Sequence, residues 1–245
     1  MKNFLEKGFI KKEKSKPNSN NIAKIFFLGN LHFFFSEKKK GRKGQQQVLS
    51  AILLTGILIG IVGSIYLWGI PLIQKNKDIA LLQSSEQFMK ILDEKVKNIA
   101  NSGGRDQLRI TLPATVRIDS GASPNQWVMS MYISTQGTIY AIGTEIPLKN
   151  STCTATQGSW GSDEPGILCV KSVKLDENKY TTTYTLSYVR LDVPNTIRSY
   201  SLELSSTGSK SIGMGHSIVI ENLGTSEVQE GGRTVTKTRI RIDFV

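Results

Sequence analysis

The dominant feature of the hydrophobic pattern is an uninterrupted apolar run from Val48 to Ile73, 26 residues without a charged side chain. A helix needs only ~20 apolar residues to cross the hydrocarbon core of a bilayer. The run is apolar on every side rather than along one stripe, as expected for a helix surrounded by lipid. The pattern therefore predicts a transmembrane helix.

A second pattern follows the apolar run, in which core-type residues recur at intervals of three and four, the spacing of one face of an amphipathic helix. Asp93 precedes Lys97 by four residues on the side assigned to solvent, an arrangement that supports a helix. Gly103-Gly104 supplies a stop signal, so we predict a transmembrane and amphipathic helical region over 45–104. Its inner face comprises Leu81, Ser85, Phe88, Leu92, Val96 and Ile99.

After Gly104 the hydrophobic period changes from 3.6 to 2, as in Tyr184, Leu186 and Tyr188, which alternate with polar residues. Such alternation is typical of strands with one buried face. We therefore predict an α+β chain, in which a long N-terminal helix precedes an extracellular antiparallel β-sandwich-like domain over 105–245. The predicted strands lie near 107–112, 126–134, 137–146, 166–175, 180–191, 196–205, 216–222 and 233–245.

Positive charge is concentrated before the apolar run. Residues 1–44 contain twelve Lys or Arg and three acidic residues, a net charge of +9, whereas residues 45–245 carry about +2. The basic side of a membrane helix stays in the cytoplasm, which predicts a single-pass topology with the N-terminus inside and the β domain outside. Because the charge sits beside a membrane segment rather than on the domain, we expect no nucleic-acid partner.

The two cysteines, Cys153 and Cys169, lie in the part predicted to be outside the cytoplasm. An oxidising compartment favours a disulfide between them, which would stabilise the domain by ~3 kcal/mol on the chain-entropy estimate. Two buried thiols are the alternative. The tripeptide that begins at Asn150 is a possible glycosylation site.

Catalytic and cofactor chemistry has little support in the pattern. The two histidines, His32 and His216, belong to no recognisable catalytic arrangement, although His216 alone would suit a general base in a tethered enzyme. Asp163 and Glu164 offer two carboxylates to a cation, which is fewer than a calcium site needs. We predict no enzyme activity, no metal site and no cofactor.

The order of a basic leader, Lys43-Gly44, three glutamines from Gln45 on, an apolar helix and a β-rich domain resembles archaeal type IV pilin-like proteins with a class III signal peptide. The resemblance implies that a prepilin peptidase cleaves after Gly44, so that 1–44 is a removed leader and the mature chain begins at Gln45. It also implies assembly with other copies or related pilins. The fifth mature position, acidic in many bacterial pilins, is Leu49 here.

Three small residues, Gly56, Gly60 and Ser64, follow one another at intervals of four within the apolar run. Such a stripe lets helix backbones approach closely and predicts a helix-packing surface, although glycine is also common in membrane helices generally.

Two functional hypotheses follow from these patterns. The first is a subunit of a type IV pilus-like filament with a possible role in adhesion. The alternative is a permanently anchored surface protein whose β domain binds a partner or a carbohydrate. In both, membrane lipid is a partner of the apolar helix.

Overall fold

The structure of the protein, a computed structural model, describes residues 43–120, 127–149 and 152–245. One long helix is followed by twelve strands within these ranges, which confirms the predicted α+β class. The chain divides into two compact units after Gly60. The first is helical from Lys43 onward, and Ile61–Val245 contains the remainder of the helix and all of the described strands.

Helix α1 spans Lys43–Ser102, 60 residues, and continues through Pro71. Its end follows the predicted glycine stop. Gly103 adopts a φ of 76°, and its amide donates to the carbonyl of Ile99 at 2.9 Å. A glycine with positive φ directly after the last helical turn is a common helix cap, because it has no Cβ to be strained in this conformation.

The strands form two six-stranded sheets. The first sheet has the order β1-β11-β12-β9-β8-β5, and the second has the order β10-β2-β3-β7-β6-β4. The bounds are β1 Arg105–Arg109, β2 Thr115–Ser120, β3 Trp127–Thr135, β4 Glu145–Lys149, β5 Gln157–Ser159, β6 Gly166–Asp176, β7 Lys179–Tyr188, β8 Arg190–Asp192, β9 Arg198–Ser205, β10 Ser211–Ile212, β11 Ser217–Glu230 and β12 Arg233–Phe244.

Most neighbouring strands are antiparallel as expected, but β9 pairs with β12, and β5 with β8, in parallel. Parallel neighbours require a crossover connection. Between β9 and β12 the chain supplies one, because it passes through β10 in the second sheet and returns along β11 in the first. The first sheet is therefore mixed, whereas the strands of the second sheet pair antiparallel.

Strands β11 and β12 form the longest hairpin of the domain. Gly231 and Gly232 connect them, with φ values of 58° and 78°, as a type I′ turn requires. The pairing shifts register between Asn222 and Thr225, where Gly224 has a φ of 95°. This irregularity is a bulge, and it turns Asn222 toward the end of α1.

The main core joins the C-terminal part of α1 to both sheets. The inner face predicted from the sequence is confirmed: Leu81 is half-buried and the other five residues are buried, and Leu82 and Met89 extend the face. Both sheets contribute buried residues to the same cluster. These include Ile118, Met129, Met131, Leu168, Leu186, Ile218, Ile220, Ile240 and Ile242.

Two predicted strands differ from the structure. The segment 137–146 is mostly a loop, because the amides of Gln136 and Gly137 bond to a helix carboxylate instead of a strand. The segment 180–191 breaks at Val189, whose amide donates to the carbonyl of Pro165 at 2.9 Å. There the chain leaves the second sheet and enters the first as β8.

Candidate functional site: an exposed apolar helix joined to the sheets

The N-terminal part of α1 exposes its apolar side chains on all sides. Before Gly60 these include Leu49, Ile52 and Leu53, and after it Ile65, Leu67 and Trp68, all more than half exposed. Within the described residues α1 is the one helix long and apolar enough to cross a membrane, judged by length and composition. Exposed apolar area costs roughly 25 cal/mol per Å² in water, so this surface requires lipid or other helices around it.

The predicted processing residues Lys43, Gly44 and Gln45 all lie at the start of α1, which begins at Lys43. The proposed cleavage bond is therefore in the first helical turn, directly before the apolar run. Cleavage of the bond after Gly44 by a peptidase remains a prediction.

The small residues Gly56, Gly60 and Ser64 occupy exposed positions of α1. A Cβ placed on Gly56 or Gly60 would meet no atom within 4 Å outside the local helix backbone. The backbone there is therefore accessible to a close neighbour, as the helix-packing prediction requires. Their use in packing remains a prediction.

Asp78 marks the point where α1 enters the domain. Its side chain is buried, and its Oδ2 accepts hydrogen bonds from the backbone amides of Gln136 and Gly137, both at 2.9 Å. Gln74 donates to the other carboxylate oxygen at 3.0 Å. Asp78 thus attaches the β3–β4 connection to the helix.

Two tyrosines make the next connection between helix and sheet. The Tyr184 hydroxyl donates to the carbonyl of Leu82 at 2.8 Å, and the Tyr140 hydroxyl donates to Glu86 at 3.0 Å. Burial, together with the Glu86 carboxylate, raises the pKa of Tyr140 to about 12. Burial also raises the pKa of Tyr184. Both hydroxyls therefore stay protonated and keep donating across the physiological pH range.

A cluster of four charged residues forms around Asp93, which is fully buried. Its Oδ2 lies 2.7 Å from the Lys149 ammonium and 3.2 Å from that of Lys97. Glu164 completes the cluster, at 2.6 Å from Lys149 and 2.7 Å from Lys97. The Tyr188 hydroxyl donates to Asp93 Oδ1 at 3.2 Å. Two cations thus face two carboxylates, and the cluster is neutral.

The surface position predicted for Asp93 was wrong. The pair with Lys97 exists, but the carboxylate points into the domain rather than to solvent. Gly166 lies directly against it, since a Cβ at that position would collide with the Asp93 carboxylate. The absence of a side chain on Gly166 lets β6 come this close to the helix.

The cluster shifts the pKa of Glu164 and of Lys149 in the direction that preserves their charges. Hydrogen bonds from Lys149 and Lys97 lower the pKa of Glu164 to about 2. Burial alone would lower the pKa of Lys149, but its bonds to Asp93 and Glu164 outweigh that effect and raise it. The ion pair between Glu164 and Lys149 therefore persists from mildly acidic to alkaline pH.

Acidification is expected to weaken this cluster through Glu164. Its carboxyl group has a folded pKa of about 2 against the ordinary 4.5, so its contribution is complete above pH 4.5 and is lost as the pH falls toward 2. In urea unfolding of the full chain in detergent, Glu164→Gln should make the unfolding free energy fall less steeply over that range. The difference should be below ~1 kcal/mol because Glu164 is half exposed. Glu94→Gln, on an exposed helix position, serves as the matched control, and equal slopes in all three proteins would contradict the assignment.

The far end of α1 is held by the β11 bulge. Asn222 donates its side-chain amide to the carbonyls of Ile99 at 2.9 Å and Ala100 at 3.3 Å. Both carbonyls belong to the last turn, where helical donors run out, and that of Ile99 also accepts from the amide of Gly103 just beyond the helix. Contacts from Asp78 to Asn222 thus join the C-terminal part of α1 to both sheets.

The predicted disulfide between Cys153 and Cys169 is present, with a Cα–Cα distance of 5.9 Å. It ties the segment before β5 to β6, next to a second small core of Ile167, Val189 and Leu191. Asn150, the possible glycosylation site, lies outside the described residues. A disulfide is typical of a domain outside the cytoplasm.

The carboxylates considered for cation binding contact protein groups instead. Asp163 accepts from the amide of Ser159 at 2.7 Å, and Glu164 bonds the two lysines of the cluster. His216 is exposed, and its carbonyl accepts from the amide of Ile110. In the described ranges no three His, Cys, Asp or Glu side chains are grouped as metal ligands would be.

Sequence reasoning did not anticipate the buried Asp78 and Asp93 or the three tyrosines that bond to the helix. The signal available for Asp93 was its spacing from Lys97, which is equally typical of an exposed pair.

The described residues thus form a long helix whose first part is apolar and exposed and whose last part is built into a disulfide-bonded β domain. Compared with protein-family models, curated proteins and solved structures, the chain shows no significant match to any of them.

Proposed function

We propose that the protein is a pilin-like structural subunit of a type IV pilus-like filament, anchored in the membrane by α1 before assembly. The observation that carries this proposal is the exposure of apolar side chains on all sides of α1 up to Ile73, in a helix whose later turns belong to the core of a β domain. A subunit of this kind exchanges lipid for the helices of other copies, and its domain lies on the filament surface.

The contacts along the C-terminal part of α1 support this role mechanically. The buried Asp78, the Asp93 cluster and Asn222 bind the helix to the β domain at three points between Asp78 and the end of the helix. A pull on the helix is therefore transmitted to the domain through several hydrogen bonds and ion pairs rather than through a flexible linker. We propose no catalytic role and no cofactor.

The alternative function is that of a tethered surface protein, and one observation favours it. Trp160 is half exposed and lies 4.4 Å from Tyr200, centroid to centroid, beside a cavity of about 200 Å³ lined also by Asn101 and Thr238. Aromatic rings next to polar side chains suit a sugar. In that case the chain is not processed and Gly44 is replaceable without effect.

Cleavage after Gly44 is the testable core of the proposal. Co-expression of the full chain with an archaeal prepilin peptidase should yield a protein that begins at Gln45, identified by mass spectrometry of the terminal peptide. Gly44→Leu should abolish processing, because the peptidase acts after a glycine in the family that this junction resembles. Gly41→Leu, three residues upstream, is the matched control and should be cleaved normally. Recovery of the chain uncut from cell membranes, in the presence of the peptidase, would refute the proposal and support the tethered protein.

A further inference from the structure

Four large apolar side chains are exposed on two neighbouring segments of the domain, outside the apolar part of α1. They are Ile139 and Ile142 in the β3–β4 connection, 45% and 53% exposed, and Val173 and Leu175 at the end of β6, 41% and 61% exposed. The segments touch through a backbone bridge between Ile142 and Ser172. We call these four residues the apolar patch.

The apolar patch lies beside the point where α1 enters the domain. Ile139 and Asn178, from the β3–β4 connection and the β6–β7 turn, line a cavity of about 530 Å³ together with Ile70 and Pro71 of the helix. Asp78, a few residues further along α1, holds the start of the same connection. Ile139 and the β6–β7 turn that follows Leu175 are thus level with the last apolar turns of the helix.

The side chains of α1 indicate where this level lies relative to a membrane. Trp68 is 83% exposed and aromatic side chains of this kind prefer the headgroup layer. Exposed apolar residues continue to Ile73, and the charged Lys75 follows. The outer edge of the hydrocarbon therefore lies near Trp68, and the turns from Ile70 onward pass through the headgroup layer.

We propose that the apolar patch inserts into the headgroup layer of the outer leaflet, so that the β domain rests on the lipid surface before assembly. This inference depends on the membrane anchoring in the proposed function. Apolar side chains at such a surface reach ~5–10 Å into the boundary between headgroups and acyl chains. Charged residues of both signs flank the patch, as a layer of phosphate and ammonium groups allows. They are Lys174, Asp176, Glu177 and Lys179.

A lipid contact at this position has a consequence for the subunit. With the helix as its single membrane contact, the domain can rotate about the membrane normal and tilt away from it. A second contact beside the helix restricts both motions. The patch would hold the domain in one orientation toward neighbouring subunits in the membrane. It would be released from lipid when the helix leaves the bilayer.

Depth measurements on the full chain in lipid nanodiscs test the inference. Both natural cysteines are joined in the disulfide, so one added cysteine is the reactive thiol. Separate Ile139→Cys and Leu175→Cys variants are labelled with an environment-sensitive fluorophore, in discs that hold one chain each. Lipids carrying a doxyl quencher near the top of the acyl chain report contact. Leu67→Cys is the control for the membrane span. Ile197→Cys is the control for solvent. Ile197 is exposed in the loop after β8, and β8 lies beside the last turn of α1, the end of the helix farthest from the apolar run.

We expect the labels at Ile139 and Leu175 to shift to the blue and to lose more than about half of their emission to the quencher, as interfacial groups do, while the Ile197 label is unaffected. Quenching at Leu67 without quenching at the two patch positions would overturn the lipid contact and leave the membrane span intact. A label at Leu67 that is not quenched would overturn both. A blue shift that appears only in discs with several chains would assign the patch to a second copy and refute the lipid proposal.

Discussion

Replacing Lys149 by Met should lower the unfolding free energy of the full chain by about 3 kcal/mol, because it removes the closest cation from a buried carboxylate. Asp93 is fully buried, and Lys149 approaches it to 2.7 Å. The variant leaves Asp93 with Lys97 at 3.2 Å and the Tyr188 hydroxyl. Methionine matches the length of the lysine stem, so the change acts through charge rather than through a cavity. Urea unfolding in detergent, followed by tryptophan fluorescence, measures the loss.

Two further variants separate the charge effect from general damage. Lys171→Met removes an exposed lysine from β6 and should change the unfolding free energy by less than ~0.5 kcal/mol. The double variant Asp93→Asn with Lys149→Met should recover part of the loss, because it removes the uncompensated charge as well as its partner. A loss in Lys149→Met no larger than in Lys171→Met would show that Lys97 and Tyr188 suffice to neutralise Asp93.

Removal of the disulfide should cost about 3 kcal/mol of unfolding free energy, the chain-entropy estimate for a loop of this length. The bond joins residues separated by 16 positions and lies against a small core of three other residues, Ile167, Val189 and Leu191. The double variant Cys153→Ala with Cys169→Ala should therefore unfold at lower urea concentration than the native chain. Alanine is used rather than serine because Cys169 is only 5% exposed, and serine would place a hydroxyl in this buried position.

A reductant provides the control for the disulfide variant. The native chain should lose a similar amount of stability when reduced, whereas the alanine variant should be unaffected by the same treatment. Equal stability of the oxidised native chain and the alanine variant would mean that the segment before β5 is held by other contacts. The pairing of β5 with β8, directly after this segment, is the contact that would then hold it.

The hydrophobic period identified the elements that depend on local pattern. The long helix, its inner face and the glycine stop at Gly103 agree with the structure, because a 3.6-residue period and a left-handed glycine are properties of a short stretch of chain. Strand β2 was overlooked, although Val116 and Ile118 alternate with polar residues there. The parallel pairing of β9 with β12 depends on residues far apart in sequence, and no local period encodes it.

The candidate site likewise contains one feature that the local pattern reveals and one that depends on residues far apart in sequence. The exposed apolar run could be recognised because it is apolar on every face, so that every position carries the signal. The Asp93 cluster could not, because its members come from α1, β4 and the loop before β6. The spacing of Asp93 and Lys97 is the same whether the carboxylate faces water or a sheet.

The sequence by itself determined that this protein has a long apolar and amphipathic helix, a β-rich domain behind it and two cysteines able to pair. These follow from composition and short-range period, which act through burial of apolar surface and loop closure. Only the tertiary structure decided how the helix is joined to the sheets, since Asp78, Asp93 and Asn222 find their partners at distances of 58, 56 and 123 residues along the chain. Such contacts depend on chain topology, and the free energy of burying a charge becomes favourable only once its distant partners are in place.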